Sequence, residues 1–233
     1  MKNLFQKVKY KYHYYNHILR WKLNHYLSLQ NRQKVITSYL SKNKVAKLQL
    51  GCGPFKLKGW LNTELFGSKD LVSLNLLKKF PIRSNSFDFV YSEHTIEHFS
   101  FDKAEHIMKE SYRVLKKGGV VRVATPNLLF LFCLYNKDQI NKDYLDWTTK
   151  EFNLEAKMPS FAINNFVRSW GHEFIYDYQS LSYLLKKAGF KNIKRYSPGD
   201  SEYNELKNVE HHWKSFSEQF NNLETITLEG EKL

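Results

Sequence analysis

An apolar run that ends on two glycines, Leu48 to Pro54 (LQLGCGP), is the strongest constraint in this 233-residue chain. The run is short enough for a strand, and the glycines permit a sharp bend that lets another molecule approach the backbone. A strand stopping on G-x-G is how α/β proteins bring main chain up to a bound cofactor. The third glycine of the dinucleotide fingerprint is missing, which weakens a nicotinamide-dinucleotide reading. An acidic side chain at the end of the next strand can accept both hydroxyls of a ribose. Glu64 stands there.

The segments that follow repeat the pattern. VAKLQL, GWLNTEL, KDLVSLNL, FDFVYSEH and VVRVAT predict five strands between Val45 and Thr125. A helix is expected from about Phe101 to Leu115, with Ala104, Ile107, Met108 and Tyr112 on one face and KKGG as its stop. DYQSLSYLLKKAGF predicts a capped helix ending at Gly189, followed by strands at KNIKRYS and ETITLEG. This alternation predicts an α/β fold: a doubly wound, mainly parallel, Rossmann-like sheet with flanking helices. Residues 127–175 are aromatic, mixed in charge and poor in glycine, and are expected to form a helical insertion beyond the fifth strand. Residues 2 to about 30 show apolar positions at helical spacing with a lysine-rich opposite face. The expected division is therefore 1–43, a basic amphipathic helical segment, and 44–233, the cofactor-binding domain.

Composition narrows the setting. The chain is 42% hydrophobic and 25% charged, as soluble globular proteins are. It lacks a run of about 18 apolar residues, and its N-terminus lacks an apolar secretory core. Two cysteines, Cys52 and Cys133, make no disulfide framework and fit a reducing cytoplasm. The net charge of +13 admits a nucleic-acid partner or an anionic membrane touched by residues 1–30. However, the lysines are scattered and no RNA-binding signature is present, so a solvated lysine surface is the simpler reading. The expected location is cytoplasmic, with the inner face of the membrane as the alternative. The sequence leaves the oligomeric state open.

The stretches LQLGCGPFKLKGWLNTEL, FPIRSNSFDFVYSEHTIEH, ESYRVLKKGGVVRVATPN and LLKKAGF resemble class I S-adenosylmethionine-dependent methyltransferases. The resemblance is greatest to the methyltransferase-11-like bacterial group and covers roughly residues 46–195. It implies S-adenosyl-L-methionine as cofactor, with Gly51, Cys52 and Gly53 at its methionine end and Glu64 at the ribose. Asn75 aligns where many relatives carry an adenine-binding Asp; its amide oxygen still accepts a hydrogen bond. Ser92 and Glu93 end the fourth strand, facing the cofactor pocket. The implied reaction is methyl transfer to an O or N atom of a small or medium polar acceptor, with a saccharide or glycoconjugate suggested by the group. A nucleic-acid methyltransferase and a non-catalytic scaffold with the same fold are the alternatives.

Methyl transfer to an alcohol needs alignment and usually a base. SEHTIEHFS supplies His98 as the first choice, then His94, with Glu97 beside them. Their i, i+3, i+4 spacing also admits a metal reading with His172 as a further ligand, but no metal is assigned. These side chains could equally hydrogen-bond the loop or cap the following helix. On the acceptor side the expected residues are Asn127, Arg168, Trp170, His172 and Tyr176. VEHHWK is expected to be a surface helix without a catalytic part.

Overall fold

The computed structural model describes residues 25–68, 71–136, 138–211 and 217–233. Most of the expected basic N-terminal helix, and the HWK of VEHHWK, lie outside the described residues.

Helix α1 (25–42) leads into β1 (Lys47–Leu50), β2 (Leu61–Glu64), β3 (Val72–Ser73) and β4 (Phe87–Glu93). A 3-10 turn (Ile96–His98) precedes α2 (Phe101–Val114) and β5 (Leu115–Pro126). The insertion holds α3 (Leu128–Cys133), α4 (Gln139–Glu151) and α5 (Pro159–Arg168). Helix α6 (Tyr178–Ala188), β6 (Lys191–Tyr196), α7 (Glu218–Glu224) and β7 (Thr225–Glu231) complete the chain. The sheet order is β3-β2-β1-β4-β5-β7-β6. Strands β1 to β5 pair in parallel, and β7 runs antiparallel to both β5 and β6. The expected Rossmann-like sheet is present, and every expected strand has a counterpart in it.

Alternation along the strands separates two faces. Leu48 and Leu50 of β1, Val121 and Val123 of β5, and Ile226 and Leu228 of β7 pack with Ile36 of α1 and with the inner faces of α2 and α6. The opposite face carries Phe89, Tyr91 and Val120, covered by Leu57, Trp60, Leu206 and Val209. Loops and a short 3-10 turn (Asn204–Leu206), rather than α-helices, supply that cover. Gln49 points into this layer and pins the loop over it, donating to Phe55 O at 3.0 Å and accepting from Leu57 N at 3.2 Å.

Arg122 is fully buried in the same layer. Its guanidinium donates to Glu210 at 2.6 Å, Glu229 at 2.5 Å and the Asp200 carbonyl at 2.8 Å. A charge this deep is tolerated because its donors meet carboxylates and a carbonyl. These bonds tie the 197–211 segment to β5 and β7.

Local chemistry explains the helix boundaries. Asp177 accepts from Ser180 N at 2.8 Å while Ser180 Oγ reaches back to Asp177 N, a capping box that starts α6. Gly189 ends it with φ 110°. The KKGG segment does not terminate α2 as expected. The helix ends at Val114, and KKGG lies within β5, with Gly118 at φ 79° where the pairing with β4 shifts register.

Candidate active site

The glycine bend lies at the carboxyl end of β1, between its neighbours β2 and β4. Gly51 has φ 57° and Gly53 φ 50°, the left-handed region that favours glycine. A Cβ on Gly51 would lie 2.7 Å from the Thr95 side chain, so the position is closed to larger residues by contact as well as by backbone angle. A Cβ on Gly53 would meet nothing within 4 Å. The bend is held to β2 by Cys52 N donating to Thr63 O at 3.0 Å. Burial pushes the Cys52 thiol up to about 11, with the nearby Glu64 carboxylate adding to the effect.

Glu64 reaches from the end of β2 back to this bend. Its Oε2 accepts from Gly53 N at 3.1 Å and its Oε1 from Leu65 N at 2.8 Å. A carboxylate has about four acceptor sites, so lone pairs remain for a ligand's hydroxyls. The open backbone at Gly53, the closed one at Gly51 and the oriented Glu64 fit the methionine-to-ribose span of S-adenosylmethionine.

After β4 the chain makes a strained turn, with His94 at φ 43°. His94 N donates to Ala124 O at 2.9 Å, and Thr95 Oγ1 donates to Glu93 O at 2.9 Å. Glu97 is fully buried. Its Oε2 accepts from Thr125 Oγ1 at 2.9 Å, and its Oε1 lies 3.4 Å from His94 Nδ1. Burial opposes charge on both partners. The contact wins: it holds Glu97 below the usual carboxylate range and, with Glu93 and Glu224 close by, His94 above the usual imidazole value. Burial pushes His172 the other way, keeping it neutral to lower pH.

The insertion closes the space above this turn. A cavity of about 430 Å³ is floored by Gly51 to Phe55 and walled on one side by Glu93, His94, Glu97 and His98. Tyr144, Trp147, Thr148, Glu151 and Phe152 of α4 and the loop behind it, Phe166 of α5, then Trp170 and His172 make the other wall. Edge-to-face packing fixes these rings: Trp147 to Phe152 is 5.6 Å and Phe152 to Trp170 5.0 Å between centroids. Glu224, buried at the end of α7, accepts from the Tyr144 hydroxyl at 2.6 Å. Among the described residues that line the cavity there is no lysine or arginine.

Nine of the fifteen residues expected from the sequence are thus brought together or set beside one another: Gly51, Cys52, Gly53, Glu93, His94, Glu97, His98, Trp170 and His172 line the cavity. Glu64 adjoins it through Gly53. The other five take different places. Ser92 is buried within β4. Asn75 stops the chain after β3, its Oδ1 accepting from Leu77 N at 2.9 Å in a local turn. Asn127 caps α3 through Leu129 N at 3.1 Å and pairs with Tyr176 as an isolated bridge. Tyr176 is itself fully buried, packed against Phe174. Arg168 is exposed at the end of α5 and does not line the cavity. The residues of α4 were not singled out from sequence; the aromatic density of 127–175 was the signal, but not which rings face inward.

The fold and the glycine bend define a cofactor-binding α/β protein with its site at the carboxyl ends of the parallel strands. Residues 58–123 match the family model described as a methyltransferase domain. The matched stretch runs from just before β2 to the middle of β5, so this part of the chain is similar to a methyltransferase domain, and the match supports S-adenosylmethionine as the cofactor. No curated protein sequence matches the chain. Among solved structures it is similar to a Thermotoga maritima protein described as a SAM-dependent methyltransferase, possible histamine N-methyltransferase. The identity is 20%, covering 95% of this chain and 97% of that one, with a TM-score of 0.44. It is also similar to an Archaeoglobus fulgidus SAM-dependent methyltransferase, at 15% identity, 94% and 99% coverage and a TM-score of 0.48. Among the described residues no helix is long and apolar enough to cross a membrane.

Proposed function

We propose that the chain is an enzyme that transfers a methyl group to an O or N atom of a small or medium polar acceptor, a saccharide or glycoconjugate fitting best, held in this cavity. The observation that carries the reading is the shared wall. The glycine bend and the His94–Glu97 pair open onto the same space as the aromatic face of the insertion. When bound, S-adenosylmethionine supplies an electrophilic methyl group on a sulfonium.

The chain's own residues supply the rest. Gly51 to Gly53 admit the cofactor's amino-acid end, and Glu64 accepts from its ribose. Glu97 fixes the His94 imidazole through Nδ1, and His94 takes the proton of the acceptor atom. The base role passes from His98 to His94 because a buried carboxylate orients only the latter. Trp147, Phe152 and Trp170 offer ring faces to the C–H face of a sugar. With no lysine or arginine among the described lining residues, a phosphate-rich acceptor gains nothing from this wall.

Isothermal titration calorimetry of S-adenosylmethionine and S-adenosylhomocysteine tests the reading. Micromolar binding that weakens in Glu64→Ala supports it and justifies screening acceptors. A folded wild type that binds neither compound overturns it and leaves a binding or scaffolding protein.

A further inference from the structure

We propose that Glu97, His98 and His172 form a binding site for one divalent metal ion in the wall of the cavity. One ligand atom from each lies within 4.8 Å of the other two. Atoms bound at about 2.0–2.2 Å to one ion sit roughly 3–3.5 Å apart, so the cluster must contract by at most roughly 1–2 Å. The half-buried His98 side chain can supply that movement by rotation.

Three features distinguish this cluster from histidines that merely pack together. First, each of two ligands has its outward partner already in place. His172 Nδ1 lies 2.7 Å from Phe166 O, so that nitrogen carries the proton and donates it, and Nε2 keeps its lone pair. Glu97 Oε2 accepts from the Thr125 hydroxyl at 2.9 Å. Metal-binding histidines and carboxylates are usually held by such outer hydrogen bonds.

Second, Glu97 Oε1 is buried, and its contact with His94 Nδ1 is long, at 3.4 Å. A fully buried carboxylate oxygen held by one long contact is short of partners, and a cation supplies one.

Third, the backbone locks the two ligand segments together. Glu173 N and Phe174 N both donate to Glu97 O, at 2.7 and 3.1 Å, placing His172 against the turn that carries His98. The segment reaches that position through Trp170 at φ 59° and Gly171 at φ 80°. The His98 and His172 rings stand 5.1 Å apart between centroids.

Two imidazoles and one carboxylate leave coordination positions open, as sites that bind substrate do and closed structural sites do not. Those positions belong to the cavity, because all three residues line it. This use of the ion, to hold oxygen or nitrogen atoms of the acceptor, rests on the proposed function; the ion's binding does not. The donor set suits Zn²⁺, Mn²⁺ or Fe²⁺ better than Ca²⁺.

The test is calorimetric titration of the untagged, chelator-treated full chain with Mn²⁺ and Zn²⁺ separately, without cofactor. Saturable binding of one ion per chain is expected, weakened at least tenfold in His98→Ala and in His172→Ala but unchanged in His106→Gln on α2. Circular dichroism of each variant, and its retained S-adenosylmethionine binding, show that the chain is folded. No binding, or binding equally affected or unaffected in all three variants, overturns the site. If the metal does not bind while S-adenosylmethionine does, this inference fails and the enzyme reading stands. The reverse result leaves the metal site and removes the enzyme reading.

Discussion

Thr125 Oγ1 donates to Glu97 Oε2 at 2.9 Å, joining the end of β5 to the turn after β4. Both residues are fully buried, so this one bond fixes the carboxylate around which His94, His98 and His172 are arranged. Thr125→Val keeps the shape and removes the donor. The expected loss is about 1.5–3 kcal/mol, because a buried carboxylate is then short of a hydrogen bond. Urea unfolding of the variant measures it; an unchanged midpoint contradicts the assigned role.

Gly51 and Gly53 separate strain from contact. Gly53→Ala adds only the left-handed backbone cost, about 1–2 kcal/mol. Gly51→Ala adds the same cost and a clash with Thr95 at 2.7 Å. The expected order of stability is wild type, Gly53→Ala, then Gly51→Ala. Cofactor affinity should fall more than tenfold in the last, and calorimetry alongside chemical denaturation checks both.

Arg122 holds two buried carboxylates. Arg122→Met leaves Glu210 and Glu229 facing each other without a cation and should cost about 3–5 kcal/mol. Adding Glu210→Gln and Glu229→Gln to that variant should recover a large part of the loss, since no buried charge then remains. Comparing the three unfolding curves decides whether the network acts as a unit.

Glu110 gives a pH signature. Burial works against its charge, but the Arg113 guanidinium at 2.7 Å and Phe80 N at 2.6 Å hold its carboxyl below the usual range. A depressed folded-state value contributes stability that is complete above the unfolded value of about 4.3 and lost as the pH falls through the folded one. Glu110→Gln should therefore be less stable than wild type at pH 7, with the gap closing in acid. Unfolding free energies across pH 3–7 test the sign.

Cys52 should be slow to alkylate. Its thiol is pushed up to about 11 and is 4% exposed, whereas Cys133 is exposed. Iodoacetamide at pH 8 should label Cys133 first in intact protein, and peptide mapping over time reads the order.

By itself, the sequence determined the elements whose cues are local. The apolar run into Gly51, the Asp177 cap, the Gly189 stop and the apolar stripe of α2 all act within a few residues, so each was legible. The same holds for Gly51 to Gly53, whose backbone angles belong to the bend, and for Glu64, which the end of a strand places.

Tertiary structure decided what depends on distance in sequence. KDLVSLNL reads as a long strand, yet β3 keeps two residues because the Asn75 turn diverts the chain. Strand β7 enters between β5 and β6, a choice made by pairing across the sheet and invisible in any local pattern. Asn127 and Tyr176 carry plausible binding groups, but the Asn127 side chain caps α3 and the Tyr176 ring is fully buried. The meeting of His98 and His172, 74 positions apart, follows from two backbone hydrogen bonds to Glu97 O. Side-chain type announces what a residue can do; burial and long-range packing decide where it does it.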